Sequence, residues 1–247
     1  MTIIPLSEGA FTVGKDKQFV PFNLQTDNLQ QRSLGSILVE IQPFVVITST
    51  DIILLDTGLG FSNPDGTLQI HQNLINKNIN PLDVTKVIMS HLHKDHSGGI
   101  SREDKIFNTK TFSFPNATHY VSKAEFDFAM LTGAPSFTPN EFSILANSDK
   151  VIFTPPNGTI NNYITYQHTG AHSPHHQCIT IKEGNETIFF GGDVAPQLTQ
   201  MKTKFVAKYD YDGTLCMQLR QQWWQQGQQE HWTFLFYHDI ATPVITL

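Results

Sequence analysis

Residues 91–99 of the chain read HLHKDHSGG, a stretch in which three imidazoles and one carboxylate fall within six residues. Residues 84–90 before it are β-branched and apolar, which predicts a buried strand ending at the first histidine. Alternate residues of an extended segment point the same way, so His91 and His93 can reach one metal ion. Asp95 and His96, in the turn that follows, can be directed at a second.

Taken alone, any one of these histidines would be interpreted as a surface polar residue or a helix cap. The set is more specific, because neutral imidazole is the commonest metal ligand and the spacing is unusual. Gly98 and Gly99 allow the backbone to fold tightly beneath the side chains. The stretch therefore predicts a metal site at the end of a strand.

Strands and helices alternate along the rest of the chain. The apolar run 52–58 stops at Asp56-Thr57-Gly58, as a buried strand does when it meets a turn. Ser122, with Glu125 three residues later, predicts a capping box at the start of a helix over 122–131. Further helices are predicted near 68–78 and 214–226, and further strands at the N-terminus and at 36–49, 160–167, 177–182, 187–191 and 232–237.

Length and charge narrow the class of protein. With 247 residues, 39% hydrophobic and 15% charged, the chain fits a single globular domain over residues 1–247. The formal net charge of -6, without a basic run, gives no electrostatic footprint for a phosphate backbone. We therefore expect a small-molecule substrate and no nucleic-acid partner, in a monomer or homodimer.

The N-terminus and the cysteines indicate a cytoplasmic location. The first residues, MTIIPLSEGAFTV, lack the basic segment, continuous apolar stretch and cleavage site of a secretory signal. No apolar run approaches the roughly 20 residues needed to span a bilayer, so no membrane partner is expected. Cys178 and Cys216 lie in no ligand-like motif and are interpreted as buried, reduced small hydrophobes.

The histidine-rich stretch resembles the HxHxDH signature of the metallo-β-lactamase superfamily. Other parts of the chain resemble the remaining motifs of that family in the same order. These are Leu55-Asp56-Thr57-Gly58, Thr169-Gly170-Ala171-His172-Ser173-Pro174, Gly192-Asp193 and Tyr237-His238-Asp239. The resemblance covers about residues 36 to 240, and five motifs in the right order make an accident improbable.

This resemblance implies an α/β fold, a four-layer αβ/βα sandwich with two metal ions at one edge between the sheets. His91, His93 and His172 would bind the first ion, and Asp95, His96 and His238 the second, with Asp193 bridging both. Asp56 would accept a hydrogen bond from a ligand imidazole and fix its tautomer. One departure from the family pattern is His175, in Ser173-Pro174-His175-His176, to which no role is assigned.

The resemblance also implies a hydrolytic mechanism. Two divalent ions lower the pKa of water from about 15.7 to near neutrality and polarise the carbonyl or phosphoryl oxygen under attack. Asp95 would take the proton of the water and pass it to the leaving oxygen. An imidazole-rich set favours two zinc ions per chain, whereas diiron relatives carry Glu in the place of His93.

Comparison with other branches of the superfamily narrows the range of candidate substrates. The antibiotic-hydrolysing members lack the aspartate at Asp193, and glyoxalase II relatives have a basic C-terminal extension, whereas nine residues without Lys or Arg follow His238. With these branches disfavoured, the chain resembles the quorum-quenching lactonases that open N-acyl homoserine lactones. Some members place a tyrosine where this chain has Pro196, so another donor must hold the substrate carbonyl.

Several alternatives stay open at this point. The chain could be a hydrolase of organophosphate triesters or of other esters and thioesters, or a persulfide dioxygenase-like oxidoreductase with a single iron. A binding or sensory protein on the same fold is disfavoured, because such proteins normally lose ligands and all seven positions are filled here.

Aromatic residues offer candidates for an apolar acyl pocket, namely Phe19, Phe22, Phe137, Trp223 and Trp224, although any one of them could belong to the core.

Overall fold

The computed structural model describes residues 1–104 and 109–247, without the side chain of Asp104. Its strands are β1 (Thr2–Pro5), β2 (Gly9–Val13), β3 (Phe19–Pro21), β4 (Ile37–Ile41), β5 (Phe44–Ile47), β6 (Ile52–Leu55), β7 (Lys86–Ile88), β8 (Ser101–Asp104), β9 (Thr109–Phe112), β10 (Thr118–Ser122), β11 (Val151–Thr154), β12 (Asn157–Ile160), β13 (Ile164–His168), β14 (Gln177–Glu183), β15 (Glu186–Phe190), β16 (Thr233–Leu235) and β17 (Val244–Thr246). Its helices are α1 (Gln69–Asn76), α2 (Lys94–Ser97), α3 (Lys123–Thr132), α4 (Pro139–Phe142), α5 (Leu198–Met201) and α6 (Gly213–Glu230).

Two six-stranded sheets form the centre of the molecule. The first has the order β1-β5-β6-β7-β10-β11, and the second runs in sequence from β12 to β17. Strands β6 and β7 are parallel in the first sheet, as are β15 and β16 in the second. The carboxyl ends of each parallel pair therefore lie at one edge of their sheet, which is where the polar motifs follow.

Alternation along the strands places apolar side chains on both faces of the first sheet. Phe44 and Ile53 point toward the second sheet and pack in one core with Ile179 and Phe190. Their neighbours point the other way, into a second core with residues of α1 and α3: Val45, Leu54, Ile70, Leu74, Phe126 and Ala129. On the outer face of the second sheet, α6 packs through residues that include Cys216 and Trp223. The result is the expected order of layers, αβ/βα.

Most of the expected elements are present, and one is divided. Residues 36–49 form two strands, β4 and β5, which belong to different sheets and separate at Gln42-Pro43. Pro43 has no N–H to donate to a sheet, which favours a break there. Residues 160–163 belong to the end of β12 and a turn, so that the strand predicted at 160–167 begins only at Ile164. Cys178 and Cys216 are buried and unpaired, as expected.

In the part of the chain that the structure describes, no helix has the length and the apolar character that crossing a bilayer requires.

Candidate metal centre

Seven side chains from four segments converge at the edge where the two sheets meet. His91 follows β7, and Asp95 and His96 lie on α2 directly after it. His172 lies between β13 and β14, whereas Asp193 follows β15 and His238 follows β16. Together with His93, these are the residues that the sequence predicts as metal ligands, and the fold brings all of them together.

One group within this cluster consists of His91, His93, His172 and Asp193, whose ligand atoms all lie within 4.8 Å of one another. His93 Nδ1 lies 3.0 Å from His91 Nε2 and 3.1 Å from His172 Nε2. Asp193 Oδ2 is 3.3 Å from His172 Nε2. Three nitrogens and a carboxylate oxygen thus face a common point, which matches the donor set of a zinc site.

A second group consists of Asp95, His96 and His238, also within 4.8 Å. Asp193 Oδ1 is 3.1 Å from His96 Nε2 and 3.1 Å from His238 Nε2. Asp95 Oδ2 lies 3.7 Å from His96 Nε2 and 3.6 Å from His238 Nε2. Asp193 therefore directs one oxygen toward each group and stands between them.

Unpartnered buried atoms show that this cluster fits a metal. Within the described residues, His96 Nε2 and Asp193 Oδ1 are buried without a hydrogen-bond partner, which is costly unless another group satisfies them. Burial and neighbouring imidazoles hold the pKa of His91 and His93 well below the ordinary value, so both rings are neutral. Neutral imidazoles and a carboxylate whose free atoms converge are the chemistry that zinc requires.

The charge balance at the second group also favours a cation. Burial opposes the ionisation of Asp193, yet the imidazoles of His238, His96 and His172 hold its pKa well below the ordinary value. Burial likewise opposes a charge on His96, but the carboxylates of Asp193 and Asp95 raise its pKa well above the ordinary value. The pocket thus stabilises positive charge, whether that of a proton or that of a metal ion.

Asp56 orients one of these ligands, as expected from its place after β6. It accepts a hydrogen bond from Nδ1 of His96 across 2.7 Å, which leaves Nε2 free to face the cluster. It also accepts bonds from the backbone N–H of Ser90 at 2.7 Å and from the Ser90 hydroxyl at 2.6 Å. Asp56 has a φ of +57°, an uncommon conformation that these bonds hold in place.

Two further ligands have partners that were not anticipated. Asp210 lies 2.8 Å from Nδ1 of His172, and the carbonyl of Glu40 accepts from Nδ1 of His238 at 2.7 Å. Asp210 lies in Tyr209-Asp210-Tyr211-Asp212 just before α6, and only this acidic repeat marks it in the sequence. A backbone carbonyl such as that of Glu40 carries no sequence signal at all.

Glu125 has a different contact from the one predicted. Its backbone N–H donates to the Ser122 hydroxyl at 3.3 Å, as in a capped helix, but its carboxylate does not complete the capping box. Instead the carboxylate accepts from the Leu92 N–H at 3.0 Å and from the Ser173 hydroxyl at 3.2 Å. Burial raises its pKa to about 7. Glu125 thereby joins the loops that carry His93 and His172.

The two histidines after Pro174 differ in their surroundings. His176 is buried, and its Nε2 accepts the backbone N–H of Asp193 at 3.2 Å, so it helps to position that carboxylate. His175 is half-buried and packs against Phe128, with ring centroids 5.6 Å apart, and it does not line the cleft described next.

A cleft of about 570 Å³ opens above the cluster. Of the five aromatic residues proposed for an acyl pocket, only Phe19 lines it, together with Phe205 and Tyr209, which were not anticipated. Trp223 and Trp224 lie on α6, where Trp223 is buried against Phe189 and Trp224 is half-buried against Phe234. Phe137 is buried behind His93, with ring centroids 4.9 Å apart.

Comparison with known proteins places the chain in a family. The sequence model of the family described as "Metallo-beta-lactamase superfamily" matches residues 39–238. The N-acyl homoserine lactonase AttM of Rhizobium radiobacter is 34% identical over 119 residues, which are 42% of this chain and 38% of that protein. The corresponding lactonase of Azorhizobium caulinodans is 42% identical over 65 residues, 26% of this chain and 18% of that protein. The matches thus span less than half of the length of these curated relatives.

Solved structures share the fold at low sequence identity. A probable metal-dependent hydrolase from Staphylococcus aureus has a TM-score of 0.79 at 22% identity, covering 99% of this chain and 91% of that one. AidC, described as a dizinc quorum-quenching lactonase, has a TM-score of 0.72 at 22% identity, covering 98% and 88%. These values agree with the expected four-layer fold.

Proposed function

Because this chain belongs to the metallo-β-lactamase superfamily, we propose that it is a two-zinc hydrolase that opens lactone rings such as those of N-acyl homoserine lactones. The observation that carries the proposal is the position of Asp193, which directs one oxygen toward each of two groups of imidazole and carboxylate donors. The names of the curated relatives support the choice of a lactone as substrate, and with it a role in quorum quenching.

In this proposal His91, His93 and His172 hold one zinc ion, Asp95, His96 and His238 hold the other, and Asp193 bridges the two. Bound divalent cations supply a water molecule of lowered pKa and polarise the substrate carbonyl. The remaining chemistry belongs to the protein itself. Asp56, Asp210 and the backbone carbonyl of Glu40 hold the imidazoles of His96, His172 and His238 in fixed tautomers.

Asp95 is the proposed proton carrier. It lines the cleft, and its carboxylate lies at the second group of ligands, where the attacking water and the leaving oxygen both have to pass. It would take a proton from the water as the water oxygen bonds to the acyl carbon, and it would give that proton to the ring oxygen as the acyl C–O bond breaks. The products are a carboxylate and an alcohol on one opened chain.

Tyr209 is our candidate for the donor that steadies the substrate carbonyl, in place of a tyrosine at the position of Pro196. Its side chain lines the cleft near His172, with ring centroids 6.4 Å apart. Burial raises the pKa of its hydroxyl to about 12, so the group stays protonated and able to donate. Apolar residues of the same cleft, among them Val13, Phe19 and Ile37, would contact an acyl chain.

A metal count combined with a substrate panel tests the function. We expect close to two zinc ions per chain, loss of activity on chelation and recovery with zinc, and hydrolysis of N-acyl homoserine lactones in preference to β-lactams. One iron per chain with full activity would overturn the zinc and two-metal claims. Inactivity on lactones, with turnover of phosphotriesters or thioesters, would move the chain to another branch of the superfamily.

The proposal also includes a cytoplasmic location and a monomeric or homodimeric state. Cell fractionation tests the first, and light scattering of the purified protein tests the second.

A further inference from the structure

The cleft above the metal centre carries an excess of positive charge. Lys15 and Lys17, in the turn between β2 and β3, line it together with Arg32. The acidic side chains lining it, among the residues that the structure describes, are Asp95 and Asp193, which are both assigned to metal binding. The chain as a whole has a formal net charge of -6, so the sign of this surface is opposite to that of the molecule.

Lys17 occupies an uncommon conformation in this turn. Its φ is +57°, in the left-handed region where glycine or asparagine is usual. The turn is closed by a hydrogen bond from the Lys17 N–H to the Gly14 carbonyl at 3.1 Å, and Asp16 accepts from the Gln18 N–H at 3.1 Å. A lysine in this conformation costs more backbone energy than a glycine would.

Lys17 is also close to the metal centre. It lines the same cleft as the candidate ligands His93 and His172. Its side chain is half-buried, whereas Lys15 and Arg32 are exposed. Of the three cations that line the cleft, Lys17 is therefore the least accessible to solvent.

None of these three cations is neutralised within residues 1–104 and 109–247. Lys15, Lys17 and Arg32 make no ion pair and no side-chain hydrogen bond there. Lys94 differs, because it lies over the ring of Phe19, 5.7 Å from its centroid, and its charge acts on Glu141. Unpaired cations in a concave surface attract anions of the substrate, and the attraction weakens with salt.

We propose that Lys15, Lys17 and Arg32 form a subsite for an anionic group, such as a carboxylate, at the far end of the acyl chain of the substrate. The inference rests on the proposed hydrolase function and narrows its substrate to esters or lactones of acids that carry a second, remote acid group. The apolar lining contacts the methylene groups between the two ends. Hydrolysis breaks the acyl C–O bond and leaves the remote anion unchanged.

Two esters of equal length test the subsite: the p-nitrophenyl ester of hexanoic acid and the mono-p-nitrophenyl ester of adipic acid. We expect the zinc-loaded protein to have the lower KM for the charged ester, and this advantage to vanish at high salt. Lys17→Gln and Arg32→Gln should each raise the KM for the charged ester roughly fivefold, which is the size of effect expected for a partly exposed ion pair. The kcat for the charged ester and both constants for the neutral ester should stay the same.

Matched variants distinguish the effect of losing a positive charge from the effect of losing stability. Lys17→Gly removes the charge while relieving the left-handed backbone, so it should lose the preference without losing stability. Lys17→Arg should retain the preference. Lys123→Gln, which removes an exposed lysine paired with Asp127 on α3, should change nothing. No preference for the charged ester, or equal effects of Lys17→Gln on both esters, would overturn the subsite while the hydrolase function stands.

Binding of an unreactive analogue distinguishes the two proposals. The amide of adipic acid monoanion should bind more tightly than hexanamide in calorimetry, and Lys17→Gly should abolish the difference. If neither the two esters nor the lactones are hydrolysed but this difference is found, the proposed function fails and the subsite stands. Equal binding of both amides would contradict the subsite.

Discussion

Asp210 lies 2.8 Å from Nδ1 of His172, although 38 residues separate them in the chain. The contact connects the segment before α6 with the loop after β13, and it leaves Nε2 of His172 facing the metal centre. The arrangement of Asp56 and His96 is the same, with Nδ1 bonded to the carboxylate at 2.7 Å. Two imidazoles, one in each ligand group, are thus fixed by a buried carboxylate.

We predict that Asp210→Ala lowers kcat/KM and zinc affinity by a factor of roughly 10 to 100, as for other groups behind metal-bound histidines. Competition with a chromophoric chelator measures the affinity, and a lactone assay the activity. Asp149→Ala, at an exposed position, is the control and should behave as wild type. Unchanged zinc affinity in the Asp210 variant would contradict this role.

Asp193→Ala should abolish turnover and leave a folded chain. Removal of the bridge leaves two cations with less compensating charge and disturbs both ligand groups at once. Asp56→Ala should be milder, in the range of roughly 10 to 100-fold, because Asp56 acts through His96. Circular dichroism checks folding and metal analysis the stoichiometry. Equal losses in the two variants would contradict the assignment of Asp193 as the ligand shared by both groups and of Asp56 as the partner of His96.

The efficiency of lactone hydrolysis should rise with acyl chain length until the cleft is full. Each buried CH₂ contributes about 0.8 kcal/mol, and Phe19 lines the cleft. Phe19→Ala should flatten the profile of kcat/KM against chain length. Phe22→Ala, a half-buried phenylalanine of the same region outside the cleft lining, is the matched control. A flat profile in the wild type would mean that the apolar lining makes no contact with the acyl chain.

Acid should weaken the fold through Asp51. Burial opposes its ionisation, but hydrogen bonds from Lys86, Tyr163 and Thr85 lower its pKa to about 2, below the value of 3.8 for a free side chain. Because the pKa is lower in the folded protein, this stabilisation is complete above about pH 4 and is lost as the pH falls toward 2.

Urea unfolding at several pH values measures the effect. Asp51→Asn should be less stable than wild type at pH 7, since Lys86 is left buried without its partner. The difference in unfolding free energy between the two proteins should narrow as the pH falls from 4 to 2. A difference that is independent of pH would show that Asp51 contributes through packing alone.

The cluster of candidate metal ligands could be predicted because much of the signal is local. His91, His93, Asp95 and His96 lie within six residues, and a period-2 argument separates the two groups that the fold then assembles. Asp210 and the carbonyl of Glu40 were not predictable in this way, since their roles depend on tertiary contacts with His172 and His238.

The limits of the fold prediction have a similar cause. The strands at 177–182 and 187–191 and the helices near 68–78 and 214–226 were recognised, because periodicity is a property of each segment. The division of residues 36–49 between two sheets depends on which partner strands β4 and β5 find, which the segment itself does not encode. Likewise, the contacts of Trp223 with Phe189 and of Trp224 with Phe234 depend on how α6 packs against the second sheet.

The two hydrogen bonds that the Glu125 carboxylate accepts, from Leu92 and from Ser173, affect how the metal centre forms. They lock two loops, remote in sequence, into one relative position during folding, so that their histidines are preorganised before any ion arrives. The entropic cost of assembling the first ligand group is therefore met by folding of the chain rather than by metal capture. An ion that enters the proposed metal centre would therefore bind ligands that the fold already holds in place.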